Sequence, residues 1–255
     1  MYDVEDIESL MVRWAPENLC SEGDNVGLLV GRKNAEVNGI LVAFEVTSDI
    51  IDEAISTGSN LIVCHHPLIF YPSLKRITDA DYVENLVLRL IENHIALYAA
   101  HTNLDWADEG VTRTLAEKLG IDIIDSLKGN EGVYGDIAPE PLSSFAEKVK
   151  DTLQCPHLKF VGTPDKIISR VGVVSGSGGD YIKSAIDTGC DAFVSADFKY
   201  HQAHMAYEND LAIIDAGHFE TENIIVEKIF NYLSDNTNGV HLYQSKRNKS
   251  FYNYI

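Results

Sequence analysis

The chain has 255 residues, 45% of them hydrophobic and 23% charged, a globular composition long enough for one large domain or two smaller ones. Asp and Glu number 39 against 20 Lys and Arg, a formal charge of -19, and basic residues gather only in SKRNK (245–249), so neither a nucleic-acid nor a membrane partner is expected. The four cysteines, Cys20, Cys64, Cys155 and Cys190, have no C-x-x-C spacing, which argues against a disulfide framework or a structural zinc site and fits a reducing cytoplasm.

From the N-terminus, MYDVEDIESLMVRWAPENL is acidic and periodic like an amphipathic helix, without the basic-then-apolar layout of a signal peptide. No apolar run approaches the roughly 18 to 20 residues that span a bilayer, so a cytoplasmic location is expected. EGDNVGLLVG (22–31) reads as a polar turn entering a strand, with Asp24 and Asn25 as turn residues or as lining of a cleft. GILVAFEV (39–46) is a strand, SDIIDEAISTG (48–58) a helix closed by Gly58, and NLIVC (60–64) the next strand. DYVENLVLRLIENH (81–94) is a helix, IALYAA (95–100) a strand and VTRTLAEKLG (111–120) a helix ending at Gly120. This alternation predicts an α/β fold with a mainly parallel sheet. The segment 129–169 holds most of the prolines and less pattern, and is the expected crossing between two lobes, 1–128 and 129–255, which are allowed to interlock.

Two stretches recur in order. IIDEAISTGSNLIVCHH (50–66) aligns without gaps with YIKSAIDTGCDAFVSAD (181–197), and IENHIALYAAHTNLD (91–105) aligns with YENDLAIIDAGHFETE (207–222) after a one-residue offset, pairing His101 with His218 and Asp105 with Glu222. An internal repeat of this kind predicts two similar α/β lobes whose histidine-rich strand ends converge. The plain alternative is chance likeness between two βα units.

The histidines sit where ligands bind in α/β folds, at strand carboxyl ends. His65 and His66 end the strand NLIVC just before Pro67. From a regular strand their side chains would point to opposite faces, so they are expected to serve different metals or to flank them from two directions. In HFETE (218–222) and HTNLD (101–105) the first and last residues are four apart, one face of a helix, and supply His218 with Glu222 and His101 with Asp105. Imidazoles and carboxylates together suit zinc, iron, manganese or nickel, and carboxylates can bridge two such cations. Each motif alone also fits an ordinary polar loop or surface pair.

VSGSGGDY (174–181) is either an anion-holding turn or a tight βα turn. ADFKYHQAH (196–204) places Asp197, Lys199 and His201 at the strand end equivalent to His65 and His66, where Lys199 and the imidazoles would meet an anionic substrate or move protons, whereas His204 fits a helix surface. Cys64 reads as a small buried residue and not as a nucleophile.

GDNVGLLVG, LIVCHHPLIF, AAHTNLD, DAFVSADFKYH and DAGHFETE together resemble the family of GTP cyclohydrolase 1 type 2 homologues, the NIF-three-like (NGG-one-interacting-factor-three) proteins. The resemblance runs from Gly23 to Glu222 and implies a two-lobed α/β fold with a dinuclear metal site between the lobes, held by His65, His66, Asp105, His218 and Glu222. It also implies a ring-shaped homohexamer and the short form of the family, without the domain that longer members insert. The chain departs from the family pattern in FEVT where LDVT is usual, with Glu45 in the acidic position, and at Ala196 where a glycine usually precedes the aspartate. The expected function is a metal-dependent hydrolase acting on a small nucleotide-like or phosphorylated, anionic substrate, with His101 and His201 handling protons and Asp197 and Lys199 near the substrate. The alternative is a non-catalytic ring that handles metal, or acts as a chaperone or regulator.

Overall fold

Helix starts and stops follow the local chemistry of the chain. In the computed structural model, which describes residues 1–70, 74–127, 129 and 131–255, Asp3 caps α1 (Val4–Trp14) through a capping box with Asp6. The chain continues through β1 (Gly27–Val30) and β2 (Gly39–Ala43). Thr47 caps α2 (Ser48–Thr57), and Gly58 closes it in the left-handed conformation at φ 70°. Then come β3 (Leu61–Cys64), α3 (Tyr82–Glu92) capped by Asp81, β4 (Ala96–Ala99) and the short α4 (Thr102–Asp105). Next are α5 (Val111–Leu119), β5 (Asp122–Ser126), β6 (Val133–Pro141), α6 (Leu142–Leu153) and β7 (Lys159–Val161). The chain ends with β8 (Ile167–Ser177), α7 (Ile182–Asp187), β9 (Ala192–Ala196), α8 (Tyr200–Glu208), β10 (Ala212–Asp215), α9 (His218–Glu222), α10 (Ile225–Asn236) and β11 (His241–Gln244).

These elements form a mixed α/β fold with two sheets and two compact units. The first unit comprises Met1–Asp108 and Ile225–Lys249, the second Glu109–Ile224 and Ser250–Ile255. The chain therefore leaves the first unit at 108/109, not near 128, and returns to it at 225. The segment 129–169 carries no crossing. It lies inside the second unit, and the apolar spacing Leu142, Phe145, Ala146, Val149 and Leu153 makes its centre the buried face of α6.

The first unit has the strand order β1-β4-β3-β2-β11, with β1 antiparallel and the others parallel. The second has the order β5-β6-β8-β9-β10-β7, in which only β8, β9 and β10 are mutually parallel. The mainly parallel expectation thus holds for the first sheet and not for the second, where antiparallel β5, β6 and β7 flank the parallel centre. Each unit runs β-α-β-α-β into a short helix, with an antiparallel strand on the edge beside the last of the three.

Each unit has its own apolar core. Leu41, Ile50, Ile62, Leu90 and Leu97 lie in the first, and Leu115, Phe145, Val171, Val194 and Ile214 in the second. Among the described residues, no helix is long and apolar enough to cross a membrane. Phe145 is fully buried, so Phe145→Ala is expected to destabilise the second unit by about 3–5 kcal/mol. Denaturant unfolding, with tertiary signals followed for each unit, measures that loss.

Candidate metal centre

In the first unit β2 stops at Ala43 because Phe44 turns its backbone to other partners. Its N–H donates to Asn248 Oδ1 at 2.9 Å, and its carbonyl accepts from the N–H groups of both His65 and His66, at 3.0 and 2.9 Å. Two consecutive amides aimed at one oxygen break the alternation of a strand. The two imidazoles consequently stand near each other, with ring centroids 5.2 Å apart.

His65 is fully buried, and its Nδ1 donates to the carbonyl of Ala100 at 2.8 Å. A carbonyl only accepts, so in the neutral ring the lone pair resides on Nε2. That nitrogen lies 3.6 Å from Oδ1 of the buried Asp105. A lone pair facing a carboxylate oxygen in a buried site is a donor set suited to a cation, and the residues fit the kind of metal that the resemblance implies. His66 Nδ1 is 4.0 Å from Glu45 Oε2, so the acidic residue in FEVT lies beside a candidate ligand. His101, at the N-cap of α4, joins them: one ligating atom of each of His65, His66 and His101 lies within 4.8 Å of the others.

In the second unit His218 and Glu222 occupy α9, and their Nε2 and Oε2 atoms lie 3.0 Å apart. Asp197 accepts from the opposite nitrogen, His218 Nδ1, at 2.7 Å. Burial opposes charge on His218, but the bonds to Asp197 and Glu222 outweigh it and push its pKa up to about 10. The bond from His218 likewise holds the Asp197 carboxyl below the usual carboxylate range. Asp197 adopts φ 57°, a left-handed conformation tolerated by Asp but uncommon outside glycine, directly after β9.

The glycines of VSGSGGDY pack against side chains. A Cβ at Gly176, which has φ 59°, would lie 1.9 Å from Glu222 Oε1 and 3.2 Å from His218 Nε2. Gly178 would meet Ser195 Oγ at 2.2 Å, and Gly179 the amide of Gln202. The Gly176 N–H donates to Thr221 Oγ1 at 3.1 Å, fixing the glycine turn onto α9. Gly217, at φ 88°, similarly leaves room for the buried Glu220 carboxylate.

Lys199 and His201 are exposed around the start of α8, and His204 pairs with Glu208 across one helical turn at 3.5 Å. The Cys64 thiol donates to the His66 carbonyl at 3.1 Å, and burial raises its pKa well above the ordinary thiol range, as for an unreactive buried residue. Asp24, a turn residue or a cleft residue by sequence, is the partner of His101, with Oδ1 2.9 Å from Nδ1. Burial alone would raise the Asp24 pKa, but the bonds from His101 and Thr102 hold it far below the usual range. Neither this partnership nor the Gly176 approach has a spacing signal, since both join residues far apart in the chain.

A family model described as Duf34/NIF3 (NGG1p interacting factor 3) matches residues 2–250. This chain belongs to the DUF34/NIF3 family. A DUF34/NIF3 relative from Clostridium acetobutylicum, named GTP cyclohydrolase 1 type 2 homolog, is 35% identical over 86% of this chain and 85% of its own length. One of the same name from Lactococcus lactis is 33% identical over 92% of each. Among solved structures, a Bacillus cereus protein related to NIF3 superposes with TM-score 0.92 at 25% identity, covering 100% of this chain and 99% of that one. Reduced HcgD from Methanocaldococcus jannaschii gives 0.82 at 27% identity, covering 95% and 97%.

Gly176→Ala is expected to push the Glu222 carboxylate aside and weaken divalent-metal binding about 10- to 100-fold while far-UV circular dichroism stays that of the parent. Calorimetric titration with zinc or manganese measures the change.

Proposed function

We propose that this DUF34/NIF3 protein is a two-metal hydrolase of a small nucleotide-like or phosphorylated substrate, with His65, His66, Asp105, His218 and Glu222 as the metal ligands. The observation that carries the proposal is the facing of the His65 Nε2 lone pair and the Asp105 carboxylate in a buried site, where Nδ1 donation to Ala100 settles which nitrogen is presented. The assignment of all five residues to a pair of cations, iron, zinc, manganese or nickel, is the family pattern carried onto these positions. Such cations supply Lewis acidity and lower the pKa of coordinated water.

The chain's own side chains supply the rest. His101, held by Asp24, and His201 handle protons; Asp197 orients His218; Lys199 meets the anionic part of the substrate. GTP ring opening, suggested by the name of the relatives, is one member of this class, and phosphoester cleavage is another. The free cysteines support a cytoplasmic location. Homohexamer assembly is proposed from the family alone.

Elemental analysis of untagged protein tests the ligand set. Two metal equivalents per chain are expected in the parent, with one or none in His65→Ala and in Glu222→Ala. Unchanged content in both variants overturns the assignment. A panel of nucleotides and phosphoesters, assayed with each of the four metals, tests the chemistry: kcat is expected to fall by about 10²–10⁴ in His101→Gln with metal retained. Full metal occupancy with no turnover on any substrate counts for the metal-handling alternative.

A further inference from the structure

Asp24 lies in the turn before β1, and its side chain is only 3% exposed. Its two oxygens stand 2.9 and 3.0 Å from His101 Nδ1, and Oδ2 also accepts from the Thr102 backbone N–H at 3.2 Å and from the Thr102 hydroxyl at 2.5 Å. Thr102 Oγ1 in turn accepts from the N–H of Ser21 at 2.9 Å, so the turn is anchored to α4 from both sides.

An ionised carboxylate can only accept, and the nitrogen facing it must therefore carry a proton. A neutral imidazole has one N–H. With that proton on Nδ1, the lone pair of His101 is confined to Nε2. The ring stands 5.4 Å from that of His65 and 5.5 Å, edge-on, from that of His66. One part of this arrangement, the Nδ1-to-carboxylate bond, recurs at the residue that the sequence alignment equates with His101. His218 gives Nδ1 to Asp197 and has Nε2 against Glu222. The two carboxylates come from unrelated places, Asp24 lying 77 residues before its histidine and Asp197 lying 21 before its own. Two different routes to one hydrogen bond indicate a requirement of the histidine, not a by-product of local chain geometry.

We propose that Asp24 is a positioning residue that holds His101 in the Nδ1–H tautomer, leaving Nε2 as the unprotonated, proton-accepting nitrogen of the His65, His66 and His101 cluster. The inference rests on His101 belonging to the working site, as proposed above. Its test reads the imidazole itself, so a failure of the hydrolase assignment leaves it standing.

The competing role for Asp24 is purely structural, a clamp on the first turn of α4 through Thr102, and two substitutions separate them. Asp24→Asn keeps an oxygen for Thr102 while offering an amide N–H to Nδ1, which drives the ring proton to Nε2. Thr102→Val removes the hydroxyl bond and leaves the carboxylate on the imidazole. Long-range ¹H–¹⁵N spectra of the ion-free, full-length chain with labelled histidine, recorded from about pH 6 to 9, report the tautomer, and the signal lost in His101→Gln assigns it. Above the pH at which the ring becomes neutral, the parent and Thr102→Val are expected to show Nδ1–H, and Asp24→Asn to show Nε2–H with an unchanged circular dichroism spectrum. Nε2–H in the parent, or Nδ1–H retained in folded Asp24→Asn, overturns the proposal. Should Asp24→Asn fail to fold, the parent tautomer and its persistence in Thr102→Val decide the matter.

Discussion

The candidate chemistry depends on which nitrogen of each histidine is already committed. An imidazole has two nearly equivalent nitrogens and a ring that can flip, so a free histidine presents either one. Here His65 spends Nδ1 on the carbonyl of Ala100, His101 on Asp24 and His218 on Asp197. In His65 and His101 this places the ring proton on Nδ1 and the lone pair on Nε2, whereas His218 also gives its Nε2 to Glu222. The ordering cost is met by the fold before any ligand arrives, the general requirement for a site that binds a cation or moves a proton.

The second requirement is space. A carboxylate that approaches an imidazole closely needs backbone where no Cβ intrudes, and Gly176 provides it beside Glu222, as Gly217 does for the buried Glu220 carboxylate. Asp197 shows the complementary cost, a non-glycine residue held at φ 57° so that its side chain meets His218. The glycine turn in VSGSGGDY is therefore best understood as a close-packing device against α9 and its neighbours.

Much of this was legible in the residues. The helices around 48–58, 81–94 and 111–120 carry periodic apolar residues, and Gly58 and Gly120 close two of them, signals that act locally and leave a local signature. His65, His66, His101 and Asp105 stood out because strand ends and one-turn spacings are also local. The strand drawn from 39 to 46 ran too far, since Phe44 is apolar yet serves the histidine amides and Asn248, a partner 204 residues away. The sequence leaves Asp24 between a turn and a cleft role for the same reason: a turn aspartate and a buried carboxylate partner look identical until the chain is folded. The boundary at 128 failed because prolines and weak patterning suggest a linker, whereas α6 conceals an apolar face within a charged helix.

The first sheet is finished by residues from the far end of the chain, β11 lying beside β2 in register from His241↔Gly39 to Gln244↔Val42. The second unit is drawn from one continuous stretch apart from its last six residues, 250–255. During synthesis its core can close soon after residue 224 leaves the ribosome, while β2 keeps an unsatisfied edge until the carboxyl-terminal strand emerges. Nascent chains stalled before 241 would thus carry an exposed apolar strand, and this window is when chaperone protection matters most.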